Sequence, residues 1–308
     1  MDWFAGRPGG TEDTVATEDV TLTAADGQPL QATIHAPAAT GSASDNGNSG
    51  AAWLLVNSAM GVRRQFYRHL AGYLAGRGIG VLTYDYRGVG DSTIDRARLP
   101  GVQLEDWGLK DFPAALAWLE ARADASRVVV LGHSVGGQIL GLTPRVLDVA
   151  GLVGVACQSG YWRLWHGIER LKLLAFWYAV IPLLTTLSAR FPASWFGLGR
   201  SIPSGVARQW ARWGRDPDYV RSTRVGPQPQ YYTAVRCPLR TYYIEQDWLA
   251  TECAARAWHD WFPNAHREFI NLGVRGTAGR PLGHFGFFNP DIGAAAWPAL
   301  AGFIEGCA

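Results

Sequence analysis

The sequence predicts an α/β protein: a mostly parallel sheet flanked by helices, with a helical segment inserted after the sixth strand. Three observations predict it. Short, nearly continuous apolar runs alternate with helix-periodic stretches between residues 52 and 158, which implies βαβ units, since parallel neighbours need a helical crossover. The alternation resumes at residue 239 and runs to the C-terminal segment. Between the two stretches, residues 161–236 lose it and hold six of the 14 tryptophans. The expected division is therefore a core of residues 1–160 and 237–308 and a helical cap of residues 161–236.

Residues 1–16 read as a loose arm. EDVTLTAADGQPLQATIHAP alternates in strand fashion around Asp26-Gly27, a hairpin signal. ATGSASDNGNSG, residues 39–50, is small and polar and reads as a surface loop. AWLLVN has the continuous apolar character of a strand buried on both faces. QFYRHLAGYLAGRG follows with helical spacing and ends on Gly78. IGVLTYDY, RVVVLG and GLVGVACQ read as the next buried strands, separated by helices over LEDWGLKDFPAALAWLEARA and SVGGQILGLTPRVL. Beyond the insertion come the strand LRTYYIEQ, a helix over 251–262, the strand REFINL and a helix over 291–305.

Composition excludes several classes. Hydrophobic residues at 48% and charged residues at 18% exclude a disordered chain. A net charge of +2 is too small to argue by itself for nucleic acid or an anionic membrane. Neither Lys110 nor Lys172 sits in a GxxxxGK[ST] loop, which excludes a phosphate-cradling NTPase. Cys157, Cys237, Cys253 and Cys307 form no CxxC pair and have no histidine at metal-ligand spacing, so no metal or cofactor is expected. Buried free thiols, with Cys307 outside the core, and a first segment without a basic region followed by an apolar run point to a cytoplasmic, reducing location. The run LLAFWYAVIPLLTTL has 15 residues and is interrupted by Pro182. A bilayer span needs about 20, so a buried or surface-lying amphipathic lid helix is expected, with at most weak contact to a membrane surface.

The motif that carries chemistry is Gly132-His133-Ser134-Val135-Gly136, a G-x-S-x-G between a strand and a helix. The turn is too tight for a Cβ beside the serine, which explains the glycines. It lifts the serine hydroxyl to the carboxyl edge of the sheet, at a helix N-terminus that favours negative charge. A serine that merely caps the helix is the plain alternative.

This strand–turn–helix context resembles the nucleophile elbow of the α/β-hydrolase superfamily, and the resemblance extends over residues 20–306. Asp85-Tyr86-Arg87-Gly88-Val89-Gly90-Asp91-Ser92 is similar to that family's D-x-R-G-x-G-x-S turn, where Asp85 and Arg87 read as braces. FPASWFGLGRSIPSGVARQWARWGRDPDYV and the GHFGFF loop resemble a bacterial group related to serine aminopeptidase-like and monoacylglycerol-lipase-like proteins. The resemblance implies an α/β-hydrolase fold and a triad in the chain order Ser, acid, His. His284, in the loop PLGHFGFF after the last strand, is the expected base; His166, His259 and His266 lie in the cap, a helix and a strand. Asp247, immediately after LRTYYIEQ, is the expected acid, with Glu245 as its rival. The oxyanion donors are expected at the backbone of Val135 and of Ala59, with Met60 second to Ala59. Many relatives carry His-Gly where this chain has Asn57-Ser58. A serine rather than an aspartate at the elbow argues against haloalkane dehalogenase and epoxide hydrolase chemistry.

The function expected is hydrolysis of a small or medium, hydrophobic carboxylic ester by a serine hydrolase without cofactor. An acyltransferase or a peptidase would use the same triad. A binding protein that merely retains the fold is the non-enzyme alternative. The few acids of the cap, Glu169, Asp216 and Asp218, rank the peptidase lower, because an amino terminus needs an acidic pocket.

Overall fold

Strands made almost wholly of apolar or small residues pack protein on both faces, and here they form the centre of the sheet. The computed structural model describes residues 15–38 and 50–308. The arm and the polar loop expected over 1–16 and 39–50 lie almost wholly outside the described residues. The strands are β1 (Thr17–Thr23), β2 (Pro29–His35), β3 (Trp53–Asn57), β4 (Gly80–Tyr84), β5 (Val128–His133), β6 (Gly151–Val155), two short strands β7 (Arg190–Phe191) and β8 (Ile202–Pro203), then β9 (Pro238–Tyr243) and β10 (His266–Asn271). Eight of them form one sheet in the order β1-β2-β4-β3-β5-β6-β9-β10. The β1–β2 hairpin is antiparallel and joins β4 antiparallel; every other pair is parallel. Gly27 turns the hairpin at φ +78°. The four strands β3 to β6 are buried at every position.

The helices follow the expected pattern with two physical departures. Helix α1 (Arg68–Gly76) buries Leu70, Ala71, Leu74 and Ala75 and is followed by Gly78 at φ +85°. Helix α2 (Phe112–Glu120) buries Phe112, Ala115, Leu116 and Leu119, a single apolar face. The stretch after the elbow was expected to be one helix. It is instead the short helix α3 (Val135–Gln138) followed by 3-10 turns at Leu140–Leu142 and Pro144–Leu147. Its glycines are contact residues rather than helix formers. A Cβ on Gly136 would stand 2.1 Å from the Asn57 carbonyl oxygen, and one on Gly137 2.3 Å from Cys157 Sγ.

The second departure lies in the segment between β6 and β9. Helix α4 runs unbroken over Gly167–Leu187, 21 residues, through Pro182. A π turn at Phe176–Val180 precedes the proline and rearranges the hydrogen-bond ladder, so the missing proline N–H leaves no break. Helix α5 (Ser204–Gly214) packs against it, then come α6 (Glu252–His259) and α7 (Trp297–Cys307) in the C-terminal part. The four cysteines are unpaired; Cys157 is buried, but Cys253 is exposed on α6 because it falls on the helix's outer side, contrary to its expected place in the core.

Candidate active site

The elbow forms where β5 ends, and its backbone is strained. Ser134 sits at φ +53°, ψ −116°, the left-handed side that L-residues rarely occupy. The neighbours hold it there. The Ser134 N–H donates to the Val155 carbonyl at 3.0 Å, and a Cβ on Gly132 would stand 2.4 Å from Gly137. The Ser134 side chain therefore projects over the carboxyl edge of the sheet, beside the N-terminus of α3. It is 7% exposed, which leaves it reachable only through a pocket.

Two loops from the same edge bring the other groups. After β9 the chain bends through Gln246 at φ +63°, and Asp247 turns inward and is buried. Its rival Glu245 is exposed. Asp247 Oδ2 lies 2.6 Å from His284 Nδ1, and its Oδ1 accepts from the Leu249 N–H at 3.0 Å, which fixes the carboxylate. His284 and Ser134 line one cavity. The structure thus brings together Ser134, Asp247 and His284. It leaves His166 exposed on the N-terminal side of α4, His266 exposed on β10, and His259 bonded to Thr241 at 2.8 Å.

A buried polar chain links the two loops beneath the serine. The His133 imidazole is fully buried, and desolvation together with the nearby His284 pushes its pKa well below the ordinary value, so it is neutral. Its Nε2 lies 3.0 Å from the His284 carbonyl oxygen, an acceptor, so Nε2 carries the proton and donates. Nδ1 must then accept, and Tyr67 Oη, 3.0 Å away, donates to it. The same Tyr67 oxygen accepts the Ala59 N–H at 2.9 Å. This corrects the expectation for Ala59, whose donor is consumed inside the fold. The Met60 N–H, one residue on, makes no hydrogen bond among the described residues, and Met60 also lines the cavity. The Val135 N–H stands in the first turn of α3, where helix geometry leaves donors free.

One contributor was not anticipated. Gln158, past the end of β6, donates from Nε2 to Ser134 Oγ at 3.4 Å, while its Oε1 is buried without a partner. The signal available in the sequence was its place just beyond the strand next to the nucleophile strand. The cavity over these groups holds about 550 Å³ and is mainly apolar. Leu173, Phe176, Trp177 and Val180 of α4, with Trp210 of α5, form much of its wall. Besides His284, the ionisable side chains in its lining are Glu169 and Lys172, which pair with each other at 2.7 Å. Among the described residues no group of three or more His, Cys, Asp or Glu is placed to hold a metal ion.

The family model for alpha/beta hydrolases matches residues 43–296. The chain belongs to the alpha/beta hydrolase family. No curated protein matches the hydrolase at a significant level. Among solved structures it is similar to DcsB in complex with a substrate analogue, with a TM-score of 0.67 and 14% identity over 95% of this chain and 100% of that one. It is also similar to brefeldin A esterase, a bacterial homologue of human hormone-sensitive lipase (TM-score 0.60, 17% identity, 98% and 80% covered). A third similar structure is a puromycin-hydrolyzing peptidase of Mycobacterium tuberculosis (TM-score 0.62, 14% identity, 98% and 41% covered). At these identities the likeness is one of fold. In this hydrolase the turn after β4 is braced by ion pairs. Asp85 accepts from the Arg64 backbone at 2.7 Å and its guanidinium at 2.6 Å, and Arg87 Nε lies 2.6 Å from Asp111. Burial pushes the Asp111 carboxyl up to about 7 against the opposing pull of Arg87.

Proposed function

We propose that this alpha/beta hydrolase is a serine carboxylic ester hydrolase that accepts uncharged esters with an apolar acyl group. The observation that carries the reading is the combination at one apolar cavity: a serine held at positive φ and a histidine already bonded to a buried carboxylate. Ser134 Oγ attacks the ester carbonyl carbon while His284 Nε2 takes its proton. Asp247 keeps the other ring nitrogen protonated and steadies the imidazolium. The Val135 and Met60 N–H groups receive the oxyanion. Collapse expels the alcohol, which receives the proton from His284, and water then cleaves the acyl-enzyme by the same route. Residues 161–236 act as a cap that roofs the site, over a core of residues 1–160 and 237–308.

The Glu169–Lys172 pair favours an ester over a peptide with a free amino terminus. The carboxylate that would receive the ammonium is already engaged. A fluorophosphonate probe tests the reading without knowledge of the substrate. The wild type is expected to become labelled and Ser134→Ala not. An unlabelled wild-type protein, or labelling that survives the substitution, overturns it.

A further inference from the structure

Helix α4 is apolar on both of its sides. Trp177, Ile181 and Thr185 are buried, and Trp177 packs on Trp210 of α5 at a ring distance of 4.6 Å. The opposite side is bare. Ile168, Leu171, Ala175, Ala179, Leu183 and Leu187 follow one another at three- or four-residue spacing, and all are exposed. The four largest are exposed by 63, 58, 62 and 75%. A helix lying on a water-facing fold ordinarily puts polar residues there. Ala175 of the stripe lines the catalytic cavity, as do Trp195 and Trp248, each more than half exposed, so the stripe reaches the cavity's edge.

Charge is divided between the segment that carries this helix and the rest of the chain. Residues 161–236 hold ten arginines and Lys172 against Glu169, Asp216 and Asp218, a formal charge of +8. The whole chain stands at +2, so the remainder carries −6. Lys172, four residues on from Ile168, borders the stripe and is 64% exposed.

We propose that this face docks on an anionic lipid surface, with α4 lying flat among the headgroups. The helix is long and apolar enough to cross a bilayer by length and composition, but its inner side is already packed on the protein, which holds it on the surface. Alkyl side chains and tryptophans next to cationic groups match the boundary between acyl chains and anionic headgroups. A second copy of this chain matches less well. A two-fold contact would set the stripe against itself and +8 against +8. The docking does not rest on the ester-hydrolase reading; it would set the cavity mouth at the lipid, where esters with long acyl chains reside.

Cosedimentation with vesicles of equal parts phosphatidylglycerol and phosphatidylcholine, compared with pure phosphatidylcholine, tests it. Each basic group near an anionic surface contributes about fivefold in binding, so at least tenfold tighter binding to the mixed vesicles is expected, weakened by salt. The double variant Leu171→Glu, Leu183→Glu should lose vesicle binding while its circular dichroism and melting temperature stay those of the wild type. Ser134→Ala should bind vesicles as the wild type does, which separates this proposal from the catalytic one. Equal failure to bind either vesicle, or binding that survives the double variant, overturns it. So does light scattering that shows a dimer split by the same double variant.

Discussion

The sheet and the segment inserted in it handle apolar residues in opposite ways. In β3 to β6 every side chain meets protein, and α2 hides its apolar face completely. In α4 the apolar residues face both inward and out, and the charge changes from −6 in the rest of the chain to +8 in residues 161–236. The difference separates two tasks. A fully buried parallel sheet cannot shift one loop without shifting its neighbours, so its edge holds His284 bonded to Asp247 and sets both beside the cavity that Ser134 lines. The inserted segment borders the same cavity with side chains that set its width, polarity and mouth.

Changes in the sheet edge should therefore abolish turnover, and changes in the insertion should redirect it. The largest effect belongs to Ser134→Ala, which is expected to lower kcat by as much as about 10⁶-fold in an ester assay with an unchanged circular dichroism spectrum. A near-wild-type rate would remove the sheet edge from the chemistry altogether. Next is Asp247→Asn, expected to cost about 10⁴-fold by favouring the wrong imidazole tautomer, whereas Glu245→Gln on the exposed bend should stay within twofold. The reverse order would reassign the acid.

The polar chain under the serine yields a smaller effect, read in stability. The folded His133 pKa lies well below the ordinary 6.5, so this group stabilises the fold above that pH. As pH falls below 6.5 the unfolded chain binds a proton that the folded site refuses. Stability should then drop by up to about 1.4 kcal/mol per pH unit from this group. Buried His35 adds in the same direction. Urea titrations at several pH values should show a shallower slope in His133→Gln, together with a loss of about 1–3 kcal/mol at neutral pH from the unmatched Tyr67 and His284 partners. An unchanged slope would show that the pH dependence lies elsewhere.

The smallest effect sharpens the role of the insertion. In a series of esters with one alcohol, kcat/KM should rise about fourfold per added acyl methylene over the first several carbons. Phe176→Ala should flatten that rise more than it changes the rate on the shortest ester. A flat wild-type series, or a preference for charged acyl groups, would make the aromatic residues of residues 161–236 a local core and nothing more.

Local pattern alone determined a good deal of this protein. Continuous apolar runs placed β3 to β6, because a strand buried on both faces tolerates a polar side chain only where a partner satisfies it, as for His133. Gly132 and Gly136 marked the elbow, because their lack of a Cβ is what lets Gly137 and Asn57 approach. The order Ser134, Asp247, His284 came with the resemblance to the α/β-hydrolase superfamily, each residue falling in a loop beyond a strand. Tertiary structure alone decided the rest. Ala59 and Met60 are neighbours of equal local standing, and a hydroxyl from Tyr67, eight residues on from Ala59, occupies the N–H of the first. Gln158 carries no motif and reaches Ser134 only because β5 and β6 pair side by side. Pro182 looks like a helix break until the π turn before it rearranges the ladder. Periodicity says that α4 has apolar residues all round; which of them meet Trp210 and which meet the outside is set by where α5 packs. Each of these depends on a contact between separate elements of the fold or on a compensating irregularity, and neither leaves a trace in composition or spacing.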